Sequence, residues 1–181
     1  MIYVLQVESG KEMAVLGEMK KQPCHPMVPR QILVERRNGK DFQRESILFA
    51  GYVFIDTALD LQEYYRIKAI PHVIRFLGGG DPLTLPASEA EYIHMLANGD
   101  KPLLPVVFWG DGSIKSELLK DLQSRGKSSI SFNKRQRRAK VTMTLLGEQH
   151  EISLAAEIDG EAGEEADDKG DKENGGTGID S

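Results

Sequence analysis

Apolar and polar positions along the first hundred residues switch between a period of two and a helical period. "MIYVLQVES" alternates, with Tyr3, Leu5 and Val7 on one side and Ile2, Val4 and Gln6 on the other, and predicts a strand. "SGKE" (Ser9 to Glu12) has capping-box spacing, in which the serine hydroxyl takes an orphan N–H and the glutamate returns to the cap. Met13, Leu16 and Met19 then carry a helix to about Lys21. "QPCHPMVPR" holds three prolines and is predicted to be a loop. "RQILVERRNGKDFQRES" predicts a hairpin, because Asn38-Gly39 supplies the positive φ angles of a two-residue type I′ turn.

"ILFAGYVFIDTAL", residues 47–59, departs from simple alternation. Eight of the nine residues from Ile47 to Ile55 are apolar or aromatic, around Gly51. A strand that is apolar on both faces is either a fully buried central strand or a strand with one face in the core and the other on a second molecule. "DLQEYYRIKAI" then predicts a helix with Asp60 as N-cap, Leu61, Tyr64, Tyr65 and Lys68 along one face, and a stop at Pro71. "HVIRFLGGGDP" predicts a short strand. "PLTLPASEAEYIHMLANG" has a second capping box, Ser88 to Glu91, and a helix ended by Asn98-Gly99.

The order is β-α-β-β-α-β with an added helix, so residues 1–98 are expected to form an α+β, ferredoxin-like domain. Both crossover helices lie on one face of such a sheet, and its other face needs a separate cover. "NGDKPLLP" reads as a linker over residues 99–105. "VVFWGDGSIK", "SSISFNKRQRRAKVTMTLL" and "HEISLAAEI" predict short strands of a small β domain, residues 106–158, for which a barrel is the economical closure. Within it "SELLKDLQSRG" prefers helix, with Ser116 as cap and Gly126 as stop.

Charge changes the picture at the C-terminus. The 181 residues carry a net charge of −5, but the last 25 hold ten acidic residues against two lysines. Residues 1–156 are therefore mildly basic, 21 Lys/Arg against 18 Asp/Glu. The 159–181 tail cannot bury enough apolar surface to offset its ordering entropy and is expected to be disordered. It is read as a solubilising appendage, the alternative being a screen for the basic residues of the β domain.

Cys24 is the single cysteine, which excludes an intramolecular disulfide and a cysteine-based zinc cluster. No basic leader or membrane-length apolar run is read in the sequence, so a cytoplasmic protein without membrane contact is expected. His25, His72, His94 and His150 are scattered, without metal-ligand spacing or a paired acid. "GGGD" (Gly78 to Asp81) lacks the Lys-Ser/Thr of a phosphate loop. The expectation is a non-enzymatic protein with no cofactor and no metal.

Two basic clusters remain. Lys134, Arg135, Arg137, Arg138 and Lys140 place five cations in seven positions, a pattern that neutralises phosphates or simply solvates a hairpin turn. Arg36, Arg37, Lys40 and Arg44 surround the predicted hairpin tip, where they either touch upstream DNA or keep a sheet edge soluble.

"YVLQVESGKE", "LFAGYVFID", "IPHVIRFLG" and "RRAKVTMTLLGEQHEISL" occur in the order found in the bacterial NusG family of transcription elongation factors, and the chain resembles that family over residues 1 to about 158. The resemblance implies a ferredoxin-like NGN domain followed by a KOW domain, a small five-stranded barrel. It implies a monomer whose NGN domain docks an apolar depression on the clamp helices of RNA polymerase and promotes processive elongation or antitermination. Phe49, Gly51, Tyr52 and Phe54 are the positions carried over to that depression. The family's KOW turn, Gly-Pro-(Phe/Leu)-x-Gly, is replaced here by "SELLKDL". That departure puts in doubt the usual partners of the barrel, a ribosomal protein or a termination factor. It resembles the operon-specific paralogues RfaH and LoaP, one of which keeps its C-terminal domain as a helical hairpin until recruited, and nascent RNA at the 134–140 cluster would suit such a paralogue. The rival readings are an RNA-binding module acting outside transcription and a ferredoxin-like enzyme for a small molecule.

Overall fold

The computed structural model describes residues 1–160 except Gly39, Gly79, Gly126 and Lys127, and the side chains of Arg36, Arg37 and Asp41 are outside the description. The acidic tail from residue 161 onward also lies outside the described residues.

Strand β1 (Ile2–Val7) leads into helix α1 (Glu12–Met19), and the short strand β2 (His25–Met27) follows. The hairpin β3 (Arg30–Arg37) and β4 (Lys40–Ile47) precedes β5 (Tyr52–Asp56), α2 (Leu61–Lys68), β6 (Val73–Phe76) and α3 (Ala87–Ala97). The four-stranded sheet has the order β2-β5-β1-β6, and all three pairings are antiparallel. This is the ferredoxin-like order, with β2, β5 and β6 as its second, third and fourth strands. The proline-rich segment expected as a loop therefore supplies an edge strand, a position that tolerates Pro26. The predicted hairpin forms, but as a separate two-stranded ribbon inserted between the second and third strands of the sheet.

The alternation in β1 and β5 separates two cores. Tyr3, Leu5, Val7, Val53 and Ile55 pack with Val15, Leu16 and Met19 of α1 and Ile67 of α2. Ile2, Val4 and Phe54 project to the opposite face and join Tyr92, Ile93 and Leu96 of α3. Asp60 caps α2 as expected, its Oδ1 accepting the Glu63 N–H at 2.7 Å. Glu63 and Ile67 of α2 are buried while Leu61 and Tyr65 are exposed, and Thr57 donates to the buried Glu63 Oε1 at 2.7 Å.

Neither predicted capping box forms. Helix α1 begins at Glu12, so that residue occupies the first helical position rather than the third, and its carboxylate is used elsewhere. Helix α3 begins at Ala87 behind Pro86, which leaves Ser88 inside the first turn. Its other end is as expected, with Asn98 in the left-handed conformation (φ 47°).

The C-terminal part contains β7 (Val106–Phe108), α4 (Glu117–Ser124), β8 (Ser129–Asn133), β9 (Arg138–Leu145) and β10 (Glu148–Ile158). The strand order is β7-β10-β9-β8, with β7 parallel to β10 and the other pairs antiparallel, giving a β-rich half-barrel. Ala139, Val141, Met143 and Leu145 alternate inward along β9. "SELLKDL" forms the single helix α4, whose Leu119 and Leu122 are fully buried in the same apolar cluster. The C-terminal domain described here is thus a sheet with one helix, not a helical hairpin.

Candidate docking face and nucleic-acid surfaces

The loop before β5 is fixed by one glycine. Gly51 has φ +82°, a left-handed conformation, and an added Cβ would sit 3.3 Å from Ser9 Oγ. Its carbonyl accepts from Val7 N at 2.8 Å, and its N–H donates to Glu12 Oε1 at 2.6 Å. Burial of Glu12 beside this N–H explains why the glutamate does not cap its own helix. The anchored turn delivers Phe49 and Phe54 to one spot, where their rings meet edge to face at 5.3 Å.

These aromatics are not exposed. Phe49 is 5% and Phe54 1% accessible, and Tyr52 is half-buried. They belong to one continuous apolar cluster with Val106, Phe108, Leu119, Met143 and Leu154 of the C-terminal part. The expectation of an open docking face is corrected accordingly: in this conformation the second face of the sheet is closed by α3 and by the chain's own C-terminal domain.

Polar contacts hold this closure. The Gln31 side chain, on β3, donates from Nε2 to Ser153 O and accepts from Ala155 N, both at 2.7 Å. It completes the edge of β10 just before β7 takes over that edge at Ala156. Glu89 on α3 accepts the Leu146 N–H at 2.6 Å, and Glu91 pairs with Arg125 beyond α4. The 99–105 segment is also pinned: Ile32 N donates to Leu103 O at 2.8 Å and Leu103 N to Arg30 O at 2.7 Å. Arg30 in turn pairs with Glu45 at 2.8 Å and Asp100 at 3.2 Å. Sequence reasoning missed Gln31 and Glu89. Their signal was weak, a polar residue just ahead of the apolar run Ile32–Val34 and an acid in the first turn of a helix.

The two basic clusters sit at the β8–β9 turn and on the β3–β4 hairpin. Lys134, Arg135 and Arg137 are exposed in the turn between β8 and β9, with Arg138 half-buried at the start of β9. The turn is ordered by Gln136 N donating to Asn133 Oδ1 at 3.0 Å, and Arg137 adopts φ 49°. Lys140 is exposed but paired with Glu151 at 2.8 Å. On the hairpin, Lys40 and Arg44 flank an exposed Phe42 on one face, and Arg44 Nε contacts Glu35 Oε1 at 2.7 Å. The Arg36 and Arg37 side chains lie outside the described residues.

Comparison with known proteins fixes the relationship. The family model described as "Transcription termination factor nusG" matches residues 2–94, just over half the chain. The chain belongs to the NusG family. Similar curated proteins include "Transcription termination/antitermination protein NusG" of Buchnera aphidicola subsp. Baizongia pistaciae, 30% identical over 120 residues, covering 59% of this chain and 66% of that protein. The Helicobacter pylori protein of the same name is 24% identical over 164 residues, covering 84% of this chain and 93% of its own length. The match thus spans just under two thirds of the first of these relatives and nearly all of the second. A solved structure described as "Domain interaction in Thermotoga maritima NusG" has a similar fold, at TM-score 0.50 and 20% identity, over 84% of this chain and 92% of that one.

Proposed function

We propose that this chain is a non-enzymatic transcription elongation factor that binds the clamp helices of RNA polymerase through Phe49, Gly51, Tyr52 and Phe54, and that the closed form withholds that face. The observation that carries the reading is the burial of Phe49 and Phe54 in a cluster shared with the C-terminal domain. A sheet face this apolar would be an aggregation liability if left open, and a detachable cover of the same chain removes it. Family membership supports the partner. The closed state and the loss of the Gly-Pro turn support a specialised paralogue that opens at specific operons for antitermination. The basic turn at Lys134, Arg135, Arg137 and Arg138, with Lys140 behind it, then meets nascent RNA, and the Arg36/Arg37/Lys40 hairpin meets upstream DNA.

Retention of RNA polymerase by the immobilised full chain tests this. Gln31→Leu, which removes both bonds to β10, should raise retention, and adding Tyr52→Asp should abolish the gain. Equal retention by the wild type, Gln31→Leu and the double variant would sink the docking assignment. The second reading, an RNA-binding module acting outside transcription, is favoured by the exposure of the basic turn in the closed form. RNA binding without any polymerase retention would select it.

A further inference from the structure

We infer that Trp109, beside the cations of the turn between β8 and β9, is a stacking site for single-stranded nucleic acid. The inference rests on the nucleic-acid reading of that turn and adds the base-binding element that the turn lacks. Trp109 is the chain's only tryptophan and is 45% exposed, whereas the preceding Phe108 is buried. Just past the end of β7 the larger apolar ring is thus turned outward, where water contact costs most.

The ring is held in place. Trp109 N donates to Ser113 O at 2.8 Å, Gly112 N to Trp109 O at 2.9 Å, and Ser113 N to Asp111 Oδ1 at 2.8 Å, closing a tight turn. Lys115 Nζ lies 4.4 Å from the indole centroid and is steadied by Asp159 at 2.9 Å. Immobilising the platform in advance lowers the entropy cost of binding.

The basic turn rises beside it. Phe108 and Phe132, each just ahead of one of the two turns, stack with centroids 4.0 Å apart and planes 3° from parallel. Lys134 Nζ reaches Gly110 O at 3.5 Å. An ordered aromatic therefore adjoins Lys134, which shares its turn with the exposed Arg135 and Arg137. Two acids are nearby: Asp159 is taken by Lys115, and Asp111 is held below the ordinary carboxylate range by hydrogen bonds from Ser113. Stacked bases on aromatic rings with phosphates on flanking cations is the arrangement of sequence-tolerant single-strand binding. An apolar protein partner would instead call for apolar neighbours around the tryptophan, and this ring is bordered by glycines, acids and cations.

The single tryptophan makes the test direct. Oligoadenylate and oligodeoxyadenylate of roughly 12 nucleotides, within the usual site sizes, are titrated into the full chain while indole fluorescence is followed. Saturable quenching is expected, with affinity reduced about 5- to 100-fold in Trp109→Leu, as judged by polarisation of labelled strand, and largely restored in Trp109→Phe. Tighter RNA or tighter DNA both uphold the site and distinguish transcript from displaced strand. Binding by Trp109→Leu within twofold of wild type, with Lys134→Glu/Arg135→Glu still impaired, would overturn the stacking site and leave the basic turn's role intact. Absence of binding by the wild type overturns both. Equal quenching by a duplex of the same length also overturns it.

Discussion

Gln31 and Ala155 are 124 residues apart in sequence, yet the carboxamide oxygen of the first accepts the backbone N–H of the second at 2.7 Å. With the Nε2 bond to Ser153 O, a single side chain imitates one rung of a β-ladder across two domains. Its removal leaves a donor and an acceptor of β10 unpaired at a site where Gln31 is 5% exposed. Gln31→Leu is expected to weaken closure by about 2–4 kcal/mol. Protease cleavage within residues 99–105 should accelerate accordingly, with the thermal midpoint of the N-terminal domain less affected. Gln31→Glu should open the chain too, because an ionised carboxylate cannot donate to Ser153 O and repels it.

Gly51 ties the start of β5 to α1 through Glu12 and to β1 through Val7. At φ +82° an alanine pays the left-handed penalty, and its methyl meets Ser9 Oγ at 3.3 Å. Gly51→Ala should cost about 1–2 kcal/mol in urea unfolding. Adding Ser9→Gly should recover only the steric part. A loss below about 0.3 kcal/mol would show that the turn does not need its positive φ.

The two-sided apolar strand was legible in sequence because Val53/Ile55 and Tyr52/Phe54 fall on alternate faces, and each face found its own core. The cover of the second face was not legible. It depends on contacts such as Gln31 with Ser153 and Glu89 with Leu146, which join segments with no shared periodicity. The first capping box failed for a related reason. Spacing shows what Glu12 can reach locally, and a buried Gly51 N–H competed more strongly than a solvated helix end. In α4 local preference and packing agree: Ser116 precedes the helix, and Leu119 and Leu122 lie on one buried face. Trp109 stood in plain view within "VVFWGDGSIK", but only the structure shows it exposed beside the buried Phe108, just past the end of β7.

Cys24 is 9% exposed against α1, and burial, followed by the Glu63 charge, raises its thiol above the ordinary range, with Arg66 opposing. The folded thiol holds its proton to higher pH than the unfolded one. Its contribution to stability is therefore complete below the unfolded pKa and is lost as pH climbs through the folded value. The midpoint of urea unfolding should fall above about pH 8.5 in the wild type and fall less in Cys24→Ala. Iodoacetamide at pH 8 should label the thiol only slowly until denaturant is added.

The basic turn makes the last prediction quantitative. For single-stranded nucleic acid, log affinity falls with log salt at a slope of about −0.7 per neutralised phosphate. Arg135 is exposed in the turn, so Arg135→Ala should shrink the slope by about 0.7. At Lys140, Glu151 lies 2.8 Å from the ammonium and offsets its charge locally. Lys140→Ala should change the slope by less than half a phosphate equivalent, while Glu151→Gln should strengthen binding by releasing that cation. Titrations of labelled oligoadenylate across a range of salt concentrations separate these outcomes. Equal slopes for all four proteins would mean that phosphate contacts lie elsewhere, with the exposed Lys40 and Arg44 of the β3–β4 hairpin the next surface to neutralise.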